Sequence, residues 1–220
     1  MKKSLIYLLL LLAVFNFSTF AQDEDDEIIK DNLEVILYGG LGLPSGDLSD
    51  WGGDSLAVGN GVDVGFDVGY FIKYNIVAGI NFNYTNFAID NPESVDVGNL
   101  THRLYSPSLY LKYYLPTDGD FIPYLKGTIG LDYAKFTTSV DNPFGSRFRQ
   151  LSYDPALSYS IGLGAFYYTF DFGGLYLEGN YHMSQTEDAK HTYNDGGVFG
   201  SNIAKIDLKL GVRILFSPEE

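Results

Sequence analysis

Between Gly61 and Tyr70 the chain alternates without exception: Val62, Val64, Phe66, Val68 and Tyr70 are apolar, whereas Gly61, Asp63, Gly65, Asp67 and Gly69 are glycine or aspartate. Successive side chains of a strand point to opposite faces, so this run specifies a strand with a different solvent on each side, and no helix can use it. The segment 205–216 repeats the pattern, with Ile206, Leu208, Leu210, Val212, Ile214 and Phe216 on one face and Lys205, Asp207, Lys209, Gly211 and Arg213 on the other. The same signal recurs over Val35–Leu43, Ile76–Tyr84, Leu104–Leu115, Pro123–Tyr133, Leu157–Thr169 and Leu175–Met183, which makes eight strands. Their connections alternate in length. Residues 44–58, 87–101, 139–153 and 186–200 are long and rich in Gly, Asp, Asn and Pro, while 72–75, 116–120 and 171–174 are tight turns.

Alternation alone does not say which face meets which solvent; the polar face decides. It consists largely of Gly, Ser, Asn and Asp, small groups suited to the narrow interior of an eight-stranded barrel, where there is room only for side chains. A solvated exterior would carry far more Lys and Glu. Aromatic placement is an independent check, because Tyr and Trp favour the two membrane interfaces. On the apolar face, Tyr84, Tyr105, Tyr133, Tyr159 and Tyr181 fall at the long-connection ends of their strands, and Tyr70, Tyr113, Tyr167 and Phe216 at the short-turn ends. From Tyr105 to Tyr113, and from Tyr159 to Tyr167, the chain advances about 27 Å along a strand, or about 21 Å across a membrane at a tilt of about 40°. That approximates the apolar band of a transmembrane barrel, about 25 Å tall. The expected fold is therefore all-β: an eight-stranded antiparallel up-and-down transmembrane β-barrel over residues 34–216. Short periplasmic turns and longer extracellular loops place both termini in the periplasm.

The flanking segments fit an exported chain. Residues 1–21 carry Lys2 and Lys3, an apolar run from Leu5 to Phe15, and Thr19 and Ala21 in the small-residue spacing of a signal-peptidase site, with cleavage between Ala21 and Gln22. An apolar run this short cannot cross a bilayer as a helix, which needs about 20 residues. No Cys follows it to carry a lipid. Residues 22–33 form an acidic periplasmic tail, and 217–220 a short C-terminal one. The 220-residue chain has 14 basic and 28 acidic residues and a net charge of −14, the wrong sign for neutralising nucleic-acid phosphates. Its lack of cysteine excludes disulfides and Cys-based zinc sites.

With these features the chain resembles the small outer-membrane barrels of the OmpX type and the membrane domain of OmpA, over about residues 34–216. The opening Tyr38-Gly39-Gly40 through Pro44-Ser45-Gly46-Asp47 is similar to the start of the outer membrane β-barrel domain proteins of Gram-negative bacteria. Phe216 matches the aromatic residue that ends the last strand in that family and is read by the barrel-insertion machinery, although Ser217-Pro218-Glu219-Glu220 follow it here. The resemblance implies an outer-membrane location, contact with outer-membrane lipid and lipopolysaccharide, no cofactor, and a structural or interaction role rather than an enzymatic one. That role would run through the extracellular loops or through an outer-membrane protein partner as an accessory subunit.

Three constellations could carry chemistry. The lumen face holds Glu34, Asp63, Asp67, Asp132, Glu178 and Asp207 against Lys112, Lys126, Lys205, Lys209 and Arg213; so balanced a set in a narrow interior reads as a salt-bridged plug. The alternative is a narrow porin-like path for ions or small solutes. Of the three histidines, His102, His182 and His191, none sits in a metal-ligand spacing. His182 and Ser184 share a strand face with Glu178, and His182-Met183-Ser184 is similar to the H-x-S motif of the outer-membrane lipid A deacylases, which cut an acyl ester with Ser, His and an acid. Gln185 stands where that family usually has Asn, and the pair falls on the lumen side. Finally, the long connections hold Asp47, Asp50, Asp54, Asp90, Glu93, Asp96, Asp141, Asp154, Glu187, Asp188 and Asp195 against Arg147, Arg149 and Lys190, with Trp51 in the first. No calcium-loop spacing is present, so no metal site is expected.

Overall fold

The computed structural model describes residues 33–48, 57–90, 101–140, 147–152, 154–185 and 202–216. The signal segment, nearly all of both tails and most of three of the four long connections lie outside them.

Eight long strands follow one another in antiparallel order: β1 (Leu33–Ser45), β2 (Ala57–Lys73), β3 (Ile76–Asp90), β4 (Thr101–Tyr114), β5 (Phe121–Val140), β7 (Ala156–Phe170), β8 (Gly173–Gln185) and β9 (Asn202–Phe216). Each pairs with its neighbours in the chain, and β1 pairs with β9 from Leu33↔Phe216 to Ser45↔Ala204. The result is a closed eight-stranded barrel. Closure removes every free edge of the wall, as a strand structure in hydrocarbon requires.

Strand bounds differ from the sequence expectation mainly at the long-connection end. There β2, β3 and β5 overrun their alternating cores by several residues, and a further strand, β6 (Arg147–Ser152), pairs with the projecting end of β5 from Lys135↔Ser152 to Val140↔Arg147. The sequence reading places that strand inside a loop, 139–153. The period-two pattern does not extend into this segment, where Phe148 and Leu151 are three apart, so alternation does not mark it as a strand. At the opposite end β2 joins β3 through Tyr74 and Asn75, and β7 joins β8 through Asp171 and Phe172.

Burial follows parity along every long strand. Even-numbered side chains of β1, β4, β5, β7 and β8 and odd-numbered ones of β2, β3 and β9 face inward and are mostly buried. The other parity is outward, and large apolar side chains there are among the most exposed, such as Ile161 at 68% and Leu163 at 66%. Inward glycines make room for the large rings of the interior. A Cβ on Gly65 would strike the Tyr38 ring and the Phe82 carbonyl, and one on Gly164 would strike the Tyr124 ring.

Candidate functional site

The lumen is filled by three connected polar layers, each assembled from strands far apart in sequence. Nearest the short turns, Glu34 of β1 accepts from Lys112 Nζ at 2.7 Å and Tyr110 at 2.9 Å on Oε1, and from Arg213 Nε at 2.9 Å and Tyr114 at 2.6 Å on Oε2. Both carboxylate oxygens are thus doubly bonded in a site without water-exposed surface. The guanidinium of Arg213 stands over Phe166 at 4.4 Å and Tyr114 at 4.6 Å, so its terminal nitrogens meet ring faces, which attract cations.

In the middle layer Asp67 accepts from Lys126 Nζ and from Asn81 Nδ2, each at 2.5 Å. Asn81 also donates to the Tyr38 hydroxyl at 2.8 Å and accepts from Ser108 at 3.0 Å. Glu178 lies between Lys126 at 3.5 Å and Lys209 at 3.4 Å, and accepts from Tyr124 at 3.1 Å. The Lys209 ammonium is 4.7 Å from the Tyr38 ring centre.

The third layer, toward the long connections, has two parts. Lys205 lies 2.8 Å from Asp207 and 3.4 Å from Asp63, and donates to Thr85 at 2.5 Å; Thr85 in turn donates to Asp63. On the neighbouring strand β8, opposite Lys205 in register, His182 Nε2 bonds Asp132 Oδ2 of β5 at 2.7 Å.

Apolar groups close both ends of this polar column. Phe87, Leu104, Ile203 and Ala134, all buried, lie one lumen step beyond the third layer, and Leu48 of the short 3-10 turn Gly46–Leu48 is fully buried beside β9. Phe71, Val77, Phe166 and Leu215 do the same beyond Glu34. No lumen-facing charged side chain among the described residues is more than 2% exposed. Water in bulk does not reach them.

The hydrolase constellation suggested by the sequence is not assembled. The acid beside His182 is Asp132 of β5, while Glu178 is engaged by Lys126 and Lys209 a layer away. Ser184 Oγ is buried without a hydrogen-bond partner, so it is not bonded to His182, whose Nε2 is held by Asp132 Oδ2. Asp132 escaped the sequence reading as a partner of His182 because the two are 50 residues apart on strands separated by β7. His102 is buried against Phe87, ring centroids 5.9 Å apart, and His191 lies outside the described residues. Among the described residues no group of His, Asp and Glu is arranged to hold a metal ion. Of the acidic residues of the long connections, Asp154 is exposed; the others, like Trp51, lie outside the residues whose side chains are described.

On the outer wall Tyr84, Tyr105 and Tyr133 occupy directly paired positions on β3, β4 and β5, with the Tyr84 and Tyr105 rings 5.0 Å apart. Tyr159 and Tyr181 are exposed at the same end of β7 and β8. At the other end Tyr70 and Phe216 flank Leu33 across the seam, and Tyr113 and Tyr167 stand on β4 and β7. Exposed Tyr74, Phe121 and Phe172 extend this lower row; they sit at or beside turns, where alternation no longer marks an outward position.

No protein-family model matches the chain, and no curated protein matches it in sequence. Among solved structures, Neisserial surface protein A aligns with 84% of this chain and 97% of its own at 18% identity and a TM-score of 0.53. The outer membrane protein OprG of Pseudomonas aeruginosa aligns with 86% of this chain and 98% of its own, also at 18% identity, with a TM-score of 0.51. The chain has the fold of the small eight-stranded outer-membrane barrels.

Proposed function

We infer that this protein is an integral outer-membrane barrel with both termini in the periplasm, that its body is a solid support rather than a channel or an enzyme, and that it works at its long-connection side. There, acidic loops would engage a partner or make the chain an accessory subunit of an outer-membrane assembly. The observation that carries the reading is the burial of the described lumen charges, none more than 2% exposed. A conducting pore must present its lining to water, and here charges from six strands are spent on one another behind apolar plugs at both ends. An interior so bonded stiffens the wall and leaves only the surface free to act, and the strands that overrun the apolar band hold that surface away from the lipid.

The test is solute flux through phosphatidylcholine vesicles containing the folded protein. Swelling in small sugars and salts at the rate of protein-free vesicles is expected. Faster swelling that scales with protein content contradicts the reading and favours a narrow channel. For the interaction half, extraction from native outer membranes in mild detergent should retain a stoichiometric partner that is lost when Glu187, Asp188 and Asp195 are neutralised; retention unchanged by those substitutions contradicts a role for the acidic loop.

A further inference from the structure

Just beyond the upper tyrosine row the outer wall changes character. The next outward positions on β3, β4 and β5 are Asn86, Arg103 and Lys135, and the backbone register sets Asn86 opposite Arg103 and Arg103 opposite Lys135. Directly below them stand Tyr84, Tyr105 and Tyr133 in the same paired order. Arg103 and Lys135 are both exposed, and the Lys135 ammonium lies 5.9 Å from the Tyr105 ring centre. No carboxylate among the described residues pairs with either cation.

Like charges on directly opposed positions of a sheet repel one another. In a chain with a net charge of −14, two cations side by side on the wall are the reverse of what composition would place there by default. Their height identifies the anion that would relieve the repulsion. Tyrosine rows mark the level of the lipid headgroups, and one further outward step along a strand tilted in the membrane is a rise of about 5 Å. That is where lipid phosphates lie. The guanidinium presents a planar fork that matches phosphate oxygens two at a time, and the ammonium adds a compact charge beside it.

We propose that Arg103 and Lys135 form a binding site for the phosphate of a phosphorylated glycolipid headgroup of the outer leaflet, with the tyrosine row below packing on the glycolipid's apolar part. The proposal rests on the reading that the long connections face outward from the cell.

The probe is deep-rough lipopolysaccharide, used as isolated and after phosphatase treatment, added to the folded protein in mild detergent and followed by native mass spectrometry. The wild type should bind the phosphorylated form at least about tenfold more tightly than the dephosphorylated one, and Arg103→Gln with Lys135→Gln should lose that preference, while Lys135→Arg keeps it. Folding of each variant is checked by its heat-dependent gel mobility, which these wall substitutions should leave unchanged. Equal binding by wild type and the double variant, or equal binding of the two lipid forms, overturns the site. Inorganic phosphate at millimolar concentration should not compete; full competition would show a general anion site instead and overturn the lipid assignment. The orientation is read separately by labelling Glu187→Cys on whole cells with a membrane-impermeant maleimide. Labelling only after the outer membrane is opened would refute the orientation while leaving the detergent result to stand or fall alone.

Discussion

Arg213 and Glu34 are 179 residues apart in the chain and meet at the seam where the last strand closes on the first, with Arg213 Nε donating to Glu34 Oε2 at 2.9 Å. Their neighbours Lys112, Tyr110 and Tyr114 come from β4, so one carboxylate ties three strands of the wall together from within. Because Glu34 lies in β1, the bond cannot form until β9 is in place. It reports closure of the barrel.

Glu34→Gln should therefore cost about 3–5 kcal/mol, since it leaves buried Arg213 without a counter-charge and Lys112 with only Asp67, 4.0 Å away. Urea-driven unfolding from vesicles measures this, with Ile36→Val as the control, a lumen substitution expected to cost only about 0.5–1.5 kcal/mol. A Glu34→Gln barrel as stable as the wild type would show that the seam is held by its backbone ladder alone.

Two glycines separate space from chance. Gly65 faces the Tyr38 ring, which fills the volume a methyl group would need, whereas nothing lies within 4 Å of a Cβ on Gly127. Gly65→Ala should destabilise the barrel by about 1–3 kcal/mol through overpacking, and Gly127→Ala should be nearly neutral. Tyrosine fluorescence and the same unfolding assay compare them. Similar losses at both positions would count against the packing described for the Tyr38 layer.

At the centre of the outer wall Leu163 is 66% exposed and lies four residues from both Tyr159 and Tyr167. Leu163→Arg should cost about 2–4 kcal/mol in lipid, the penalty of a cation at the bilayer midplane of a barrel. On a wall facing water the change would cost almost nothing. Unfolding in vesicles gives the answer.

Ser184→Ala tests the remaining enzymatic possibility. With no hydrogen bond from its hydroxyl to His182 and with Glu178 engaged elsewhere, loss of that hydroxyl should leave the lipid A mass spectrum of the producing cells unchanged. A lipid A one acyl chain heavier would show that the H-x-S pair acts on lipid after all.

The fold was readable because each face of each strand meets a single solvent. The run Gly61–Tyr70 declares its strand, its two faces and the sign of each without reference to any other residue. Pairing within the lumen was not readable. Parity names Glu34, Asp67 and Glu178 as inward, but nothing local says that Glu34 meets Lys112 and Arg213, that Asp67 meets Lys126, or that His182 meets Asp132 rather than Glu178. Those choices depend on the shear of the closed barrel, which the register between β1 and β9 sets. The β5–β6 hairpin was missed because alternation does not extend into it. Arg103 and Lys135 were likewise legible as outward by parity, and became a pair only once the register set them opposite each other.

Odd-numbered side chains of β7 face hydrocarbon, and even-numbered ones face a packed interior closed to bulk water. The chain has no cysteine, so single cysteines from Leu157 to Tyr167 can each carry a nitroxide spin label without background. In phosphatidylcholine vesicles, power-saturation measurements should give high accessibility to oxygen and low accessibility to a water-soluble nickel complex at odd positions, with low accessibility to both at even positions. High nickel accessibility at the even positions would reveal a water-filled lumen, and high nickel accessibility at the odd positions would place the wall in water; either result contradicts the account.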